Sequence, residues 1–436
     1  MNKTRANLLI VVLIVGMLVF GNAVFAGDKD ALAKEIRILS FGNPRWSPDG
    51  KKIAFVATCE KREIKEDSAG NAKEIPLKAF NILTVEPSGS NLEAILPFYW
   101  FTDRPMALAP GMSAREKPLE AKGYPGGYKP PELPQKPILP LLISDCFLGN
   151  YDWSPSSNEI VFMDSPNGFS EQDEIYLWKA NVAKINFSFI LKTNGKQIPS
   201  FIQWLKSGKI IYRTRNPGIF YQIEPTGKPI GAIKIPGLLF WGDVCFSEDG
   251  KKIIYANRDV YIFDVSGTNK INLTKTEEKR EELKRKIKQG YRPTSHYEGG
   301  PSDRYEYSEP SFSPDGKTIA FVFEDNYGEV FLGRRIWKID IDGKNVSPLT
   351  AVKPKRTPEE EREKKDEPYY EEFSPSWSPD GKQIVYVRGY KYDNGKREIW
   401  IMNADGSSHI QLDVKTSDLM VSNQKKQTEV TIKQPN

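Results

Sequence analysis

The stretch Trp46-Ser47-Pro48-Asp49-Gly50, continued by Lys51-Lys52-Ile53-Ala54-Phe55-Val56, decides the fold because it recurs along the chain. Residues 312–316 and 377–381 repeat it almost unchanged, as an aromatic residue followed by Ser-Pro-Asp-Gly. More divergent copies begin at Trp153, Trp204 and Phe246. A recurring segment of this kind indicates an array of equivalent supersecondary units.

Each copy predicts a β-hairpin in which an aromatic residue ends one strand and a short apolar run begins the next. Proline presets the first central turn position, aspartate can bond nearby backbone, and glycine accepts a left-handed conformation. The apolar runs are unbroken, which is typical of strands covered on both faces.

A second hairpin follows several copies, with its turn at Gly267, Gly343 or Gly406. Four strands per repeat and six repeats predict an all-β fold, a six-bladed β-propeller with four-stranded blades.

The full pattern is aromatic-Ser-Pro-Asp-Gly-Lys-x-Ile-Ala-Phe, then Ile-Trp, Asp-Gly and Leu-Thr. It resembles the WD-like repeat of TolB-type propellers, and related repeats occur in the propellers of prolyl-oligopeptidase-like peptidases. The resemblance covers about positions 43–412 and implies the same six-bladed fold. It implies less about function, because one fold hosts many functions.

Residues 1–26 predict a secretory signal peptide of bacterial type. Lys3 and Arg5 precede an apolar stretch, and small residues lead to a cut after Ala26. A periplasmic or secreted chain would then begin at Gly27 with a short segment, 27–42, before the propeller. The alternative is an uncleaved inner-membrane anchor, because residues 6–26 are long enough to span a bilayer. The polar tail 413–436 is either disordered or lies along an open sheet edge.

Composition excludes several function classes. The 436 residues carry a net charge of +5 and have no clustered basic segment, which argues against a nucleic-acid partner. The three cysteines have no metal-ligand spacing, so no metal or cofactor is predicted. Cys59 and Cys146 could pair in an oxidising compartment if their geometry allows it. Cys245, at the position of Ser311 in the next repeat, is predicted to be a buried thiol.

The repeat spacing leaves surplus chain that we interpret as long loops, at 60–78, 97–140, 275–308 and 351–373. In a four-stranded antiparallel blade, the second-to-third connection and the blade-to-blade connection open on one rim, here called the insert rim. Both tight turns open on the opposite rim, here called the turn rim. All four predicted inserts fall on the insert rim, and insertions confined to one face often mark a binding face. Two inserts also predict short polar helices, at 277–288 and 357–365.

The predicted inserts are rich in aromatic residues, which are enriched at binding interfaces together with arginine. The candidate partner-binding residues are Trp100, Tyr124, Tyr128, His296, Tyr305, Tyr307, Tyr369 and Tyr370. The alternative is that these rings hold the long loops against the propeller.

Catalysis has little support in the sequence. The chain has two histidines and no Gly-x-Ser-x-Gly motif, since 111–115 lacks the final glycine. A prolyl-oligopeptidase-type enzyme would also need a hydrolase domain. The sequence therefore predicts a non-enzymatic module that binds an envelope protein of unknown identity. The alternative is a propeller that binds or processes a glycan or peptide.

Overall fold

The computed structural model describes residues 36–66, 71–96, 98, 150–164, 175–184, 186–193, 201–213, 218–238, 242–275, 304–327, 330–351, 370–390, 396–416 and 419. Within these residues, antiparallel strands form six four-stranded sheets. The sheets are the blades of a six-bladed β-propeller, which confirms the predicted fold class.

Each blade consists of four consecutive strands. Blades 1 and 2 contain β1 (Arg37–Trp46), β2 (Ile53–Glu66), β3 (Ala72–Val85), β4 (Glu93–Ala94), β5 (Tyr151–Trp153), β6 (Glu159–Asp164), β7 (Ile175–Asn181) and β8 (Asn186–Thr193). Blades 3 and 4 contain β9 (Phe201–Trp204), β10 (Ile210–Arg213), β11 (Ile219–Ile223), β12 (Pro229–Lys234), β13 (Asp243–Phe246), β14 (Lys252–Ala256), β15 (Val260–Asp264) and β16 (Ile271–Asn272). Blades 5 and 6 contain β17 (Arg304–Phe312), β18 (Thr318–Tyr327), β19 (Val330–Asp340), β20 (Ser347–Pro348), β21 (Tyr370–Trp377), β22 (Gln383–Tyr390), β23 (Arg397–Asn403) and β24 (Ile410–Gln411).

The ring closes by packing between blades 6 and 1, since each sheet contains strands of a single blade. One buried cluster joins Phe55 and Leu83 of blade 1 to Val385 and Ile401 of blade 6. Leu419 is fully buried in the same cluster. The first residues of the predicted tail therefore pack at this closing interface.

The Ser-Pro-Asp-Gly turns share one hydrogen-bond geometry. In blade 5, the Ser313 hydroxyl donates to Asp315 at 2.7 Å and accepts the Thr318 N–H at 2.9 Å. The Asp315 carboxylate also accepts the Lys317 N–H at 3.1 Å. Blades 1, 4 and 6 repeat the serine-to-aspartate bond at 2.7 Å. The turn sequence is thus conserved along the chain because each polar side chain satisfies local backbone.

The glycine of the second turn brings neighbouring blades into close contact. Gly406 of blade 6 has φ 89°, and a Cβ there would lie 2.7 Å from the Leu349 carbonyl oxygen of blade 5. Gly343 and Leu273 repeat the approach between blades 5 and 4, at 3.4 Å. A side chain at Gly406 would push two blades apart, whereas one at Gly343 would make an ordinary contact, so Gly406 serves the ring as well as the turn.

Three predicted loop boundaries are corrected by the structure. Strand β1 begins at Arg37, ahead of the expected blade start at Asn43. The segment 60–78, interpreted as a loop, is instead the paired continuation of β2 and β3, with Glu60 opposite Lys78 and Glu66 opposite Ala72. The inserts at 275–308 and 351–373 likewise end where β17 and β21 begin.

The sequence of 60–78 favours a loop over a hairpin because its charges alternate in sign and hide the two-residue period of a strand. In the sheet, Arg62 pairs with Glu74 across the strands at 3.3 Å, while Leu77 on the other face is buried. Opposite charges at cross-strand positions stabilise such a ribbon.

Several predictions fall outside the described residues, namely the helices at 277–288 and 357–365, the signal segment 1–26, and Cys146. Cys59 is fully buried in the cluster between blades 1 and 6, and its pairing with Cys146 stays a prediction. Among the residues that the structure describes, no helix is long and apolar enough to cross a membrane.

Candidate functional site

The insert rim is asymmetric because blades 5, 6 and 1 have longer inner strands than their neighbours. Their inner strands β17, β21 and β1 have 9, 8 and 10 residues, whereas β5 of blade 2 has 3. These strands start at the insert rim, so the extra length builds a raised sector there.

A shared bulge allows this extension. In the raised sector a residue of positive φ precedes a proline, at Asn43 (φ 45°), Glu309 (φ 51°) and Ser374 (φ 54°). Strand pairing shifts register at the same places. A bulge bends a strand and re-aims its side chains, and here it lets the strand continue beyond the body of the blade.

The structure describes part of the predicted anchor set. Trp100, Tyr124, Tyr128, His296 and Tyr369 lie outside the described residues. The backbone of Tyr305 lies in β17. Tyr307 packs against Phe321 and Phe323, with ring centroids 5.7 and 5.2 Å away, in the cluster between blades 4 and 5. Tyr370 begins β21 at the insert rim.

Tyr370 belongs to an arginine–aromatic cluster that faces blade 5. The Arg388 guanidinium lies 4.2 Å from the Tyr370 ring centroid and 3.8 Å from that of Trp400. Its Nη2 donates to Glu372 at 2.8 Å. The Glu372 side chain is 1% exposed and that of Arg388 is 12% exposed. Stacking and a buried ion pair therefore fix the guanidinium in place.

Glu398 continues the cluster along the same face. Its carboxylate accepts hydrogen bonds from Tyr390 at 2.8 Å and Trp400 at 3.1 Å, and it pairs with Lys396 at 2.9 Å. Burial and the bond to this carboxylate raise the pKa of Tyr390 to about 12. The tyrosine hydroxyl is thus a donor throughout the neutral range.

Blade 5 contributes Arg335, which donates to the Tyr370 carbonyl at 2.9 Å and to the Ala351 carbonyl at 3.1 Å. Nη2 of Arg335 and Oε2 of Glu372 are both buried and have no hydrogen-bond partner in the described part of the chain. One buried hydrogen-bond donor and one buried acceptor near Tyr370 therefore have no partner among the described residues.

The second candidate site is the central channel, a cavity of about 1350 Å³ enclosed by the six inner strands. The aromatic residue of every repeat lines it, namely Trp46, Trp153, Trp204, Phe246, Phe312 and Trp377. Polar residues one or three positions before these aromatics line the rest of the wall, including Arg45, Asp152, Gln203, Asp243 and Glu309.

The channel carboxylates join neighbouring blades. Asp152 of blade 2 accepts the Trp204 N–H of blade 3 at 2.7 Å, and Asp243 of blade 4 accepts the Glu309 N–H of blade 5 at 2.9 Å. Glu309 in turn accepts the Ser374 N–H of blade 6. Each of these three carboxylates therefore links its blade to the next one, and they are here called staples.

The pKa shifts of these carboxyl groups agree with their enclosed position. Burial raises the pKa of Asp152, although the nearby Arg45 opposes the shift. Burial also raises the pKa of Glu309. The neighbouring Asp243 raises this pKa further, whereas Arg334 lowers it. A raised carboxyl pKa means that the ionised form is disfavoured inside the channel.

Cys245 differs from its predicted environment. It lies at the strand position equivalent to Ser311, as expected, but it lines the channel and is only partly buried. Burial raises the pKa of its thiol to about 11, so the thiol is protonated and a poor nucleophile at neutral pH.

Sequence reasoning missed both sets of site residues. Arg388 and Trp400 stand in strands that we interpreted only as blade core, although Tyr386, Arg388 and Tyr390 alternate along one face of β22. The channel residues could have been found from their fixed offset before each repeat aromatic.

Solved structures that are similar to the chain include β-propellers. No family model matches the sequence, and no curated protein matches it. Among solved structures, the chain is similar to the β-propeller domain of the trilobed protease from Pyrococcus furiosus, with 10% identity and TM-score 0.38 over 86% of this chain and 96% of that chain. It is also similar to a putative TolB from Agrobacterium tumefaciens, with 15% identity and TM-score 0.29 over 87% of each chain. The tricorn protease matches with 11% identity and TM-score 0.34 over 83% of this chain and 30% of that chain. These are likenesses of fold.

Proposed function

We propose that this chain is an exported, non-enzymatic interaction module of the bacterial envelope that binds a partner protein through its insert rim. The observation that carries the proposal is the raised sector of blades 5, 6 and 1, with the Tyr370, Arg388 and Trp400 cluster at its edge. Aromatic residues and arginine are the types most enriched at protein–protein hot spots.

The channel chemistry supports a scaffold role. Asp152, Asp243 and Glu309 each accept a backbone N–H of the following blade. A carboxylate held in this way stabilises the ring, and using it as a general acid or base would disturb the staple.

Export is the second component of the proposal. The signal-like segment 1–26 is expected to be cleaved after Ala26, which would leave Gly27 as the first residue in the periplasm. Amino-terminal sequencing of the exported protein tests this, and an intact Met1 in the membrane fraction would mean an anchor instead.

Site-specific photo-crosslinking in intact cells tests the binding surface. A photoreactive residue at Tyr370 should give a defined crosslinked partner, and one at Lys317 on the turn rim should give none. Tyr370→Ala should then weaken binding of that partner by about 2 kcal/mol, as expected for a buried aromatic anchor. Crosslinks that map to the turns at Asp49, Asp315 and Asp380 would reject the assignment.

The channel favours one alternative function, the binding or processing of a glycan or peptide. Its cavity combines a ring of six aromatic residues with buried carboxyl groups, a lining suited to sugar rings or apolar side chains. Calorimetric titration with mixed oligosaccharides and peptides tests it, using Cys245→Trp to obstruct the middle of the channel. Saturable binding that this variant abolishes would support the alternative, and heats unaffected by the variant would reject it.

A further inference from the structure

The outer edge of blade 3 differs from those of most other blades. The outer strands β4, β16, β20 and β24 have 2 residues each, whereas β12 has 6. Very short edge strands protect a sheet from pairing with foreign strands. Blade 3 lacks this protection, as does blade 2, whose outer strand β8 has 8 residues.

Strand β12 is exposed along nearly its whole length, with Ile233 alone partly buried. Its interior, Ile230-Gly231-Ala232-Ile233, contains neither a charge nor a proline, and Ile230 is 42% exposed. Every second residue of an edge strand directs its N–H and C=O groups away from the sheet. Pairing with β11 skips Ile230 after Pro229, so the regular part of this edge, Gly231 to Lys234, is the open template for one more strand.

Gly231 adds a second indication. A Cβ on this residue would meet nothing within 4 Å, so the packing of blade 3 does not require glycine here. Glycine inside a strand often marks a place where another backbone approaches closely.

Charge distinguishes the possible occupants. Lys228 and Lys234 stand near the two ends of β12, and both are exposed. Lys228 pairs loosely with Glu224 at 3.6 Å, and Lys234 has no ion pair with any described residue. Antiparallel pairing of β12 with a second copy would bring Lys228 of one copy near Lys234 of the other, and like charges at cross-strand positions are destabilising. A strand with acidic residues at its ends would be attracted by these lysines and would not meet this repulsion.

We propose that β12 is a docking edge for an extended, acidic segment of a partner protein, which adds to blade 3 as a further strand. This surface lies on the outer circumference and does not depend on the insert rim. Backbone hydrogen bonds supply the affinity in this mode of recognition, and the terminal lysines select the acidic ends.

The test uses the purified mature chain and a fluorescent peptide of alternating valine and threonine with glutamate at both ends. Its anisotropy should rise saturably with protein concentration. The same peptide with lysine at both ends should bind about tenfold more weakly, the effect of two partly exposed ion pairs. A version methylated on alternate backbone nitrogens should not bind, because it cannot complete the ladder.

Lys234→Glu should abolish the preference between the two peptides, because Lys228 at the other end keeps its charge. Lys209→Glu, an exposed lysine of the same blade away from β12, makes the same charge change and should leave the preference intact. Equal binding of the methylated peptide would overturn strand addition, and an absence of saturable binding would overturn the docking edge. A dimer in sedimentation that Lys234→Glu alters would make a second copy the occupant and overturn the acidic partner.

Discussion

At the scale of single residues, the turn glycines differ in what surrounds them. Gly406 and Gly316 both have positive φ, at 89° and 68°, but a Cβ on Gly406 would lie 2.7 Å from the Leu349 carbonyl oxygen and one on Gly316 would meet nothing within 4 Å. Gly316→Ala should therefore lose about 1 to 2 kcal/mol from backbone conformation alone. Gly406→Ala should lose clearly more, because blades 5 and 6 must also separate. Urea midpoints of the two variants make the comparison, and equal losses would contradict the inter-blade role.

Two carboxyl groups should respond to pH with opposite signs. The Ser313 hydroxyl and the Lys317 N–H lower the pKa of Asp315, so its contribution to stability is present above its unfolded pKa, about 4, and is lost as pH falls through the folded pKa. Burial raises the pKa of Glu309, so its contribution is present below the unfolded pKa and is lost as pH rises through the folded pKa.

Asp315→Asn should accordingly be most destabilising at neutral pH and approach the parent in acid. Glu309→Gln should improve relative to the parent as pH rises from acid towards neutrality. Denaturation midpoints from pH 3 to pH 8 measure both differences, and slopes of the same sign would contradict the assigned environments.

At the scale of elements, the inner strands are joined by staples that differ from blade to blade. Asp152 accepts the Trp204 N–H at 2.7 Å and pairs with Arg45 at 3.3 Å. Asp152→Ala should cost about 1 to 3 kcal/mol, because a buried donor loses its acceptor. Ser311→Ala, at the equivalent position of blade 5, should be nearly neutral. Thermal unfolding of both variants checks this, and similar losses would mean that Asp152 is not a staple.

The elements predictable from the sequence are those stabilised locally. The Ser-Pro-Asp-Gly turns could be predicted because Ser313, Asp315 and Gly316 satisfy one another within a few residues. The staples could not, because the Asp152 carboxylate and the Trp204 N–H that donates to it belong to different repeats. The 60–78 hairpin was missed because its exposed face is charged, as at Arg62 and Glu74, and a run of charged residues is typical of a polar loop.

The candidate site was predictable in part for the same reason. The insert rim follows from strand connectivity, and Tyr370 lies there as expected. Its contact with Arg388, and that of Arg388 with Trp400, depend on three strands meeting in register. No pattern of local sequence specifies which aromatic of an insert meets an arginine of a neighbouring strand.

At the scale of the whole molecule, the interface between blades 6 and 1 lacks an indole hydrogen bond that two other interfaces have. Trp153 and Trp377 each donate the indole N–H to the preceding blade, at 3.1 and 3.3 Å, whereas Trp46 Nε1 is buried without a partner in the described chain. Leu412 and Leu419 instead seal this interface within a large apolar cluster. Ring closure therefore depends mainly on hydrophobic burial.

Weakening the interface between blades 6 and 1 should lower the stability of the whole ring. Leu412 is 7% exposed, so Leu412→Ala should remove about 2 to 5 kcal/mol, as for other buried leucines. Because within the described residues blade 1 is held to blade 6 by packing and not by a shared strand, the loss should open the ring and weaken every blade. Hydrogen exchange should then accelerate at Val260 in blade 4 as well as at Leu83 in blade 1. Lys415→Ala, an exposed neighbour in the same segment, should change neither. Faster exchange confined to blades 6 and 1 would mean that the other blades are stable without a closed ring.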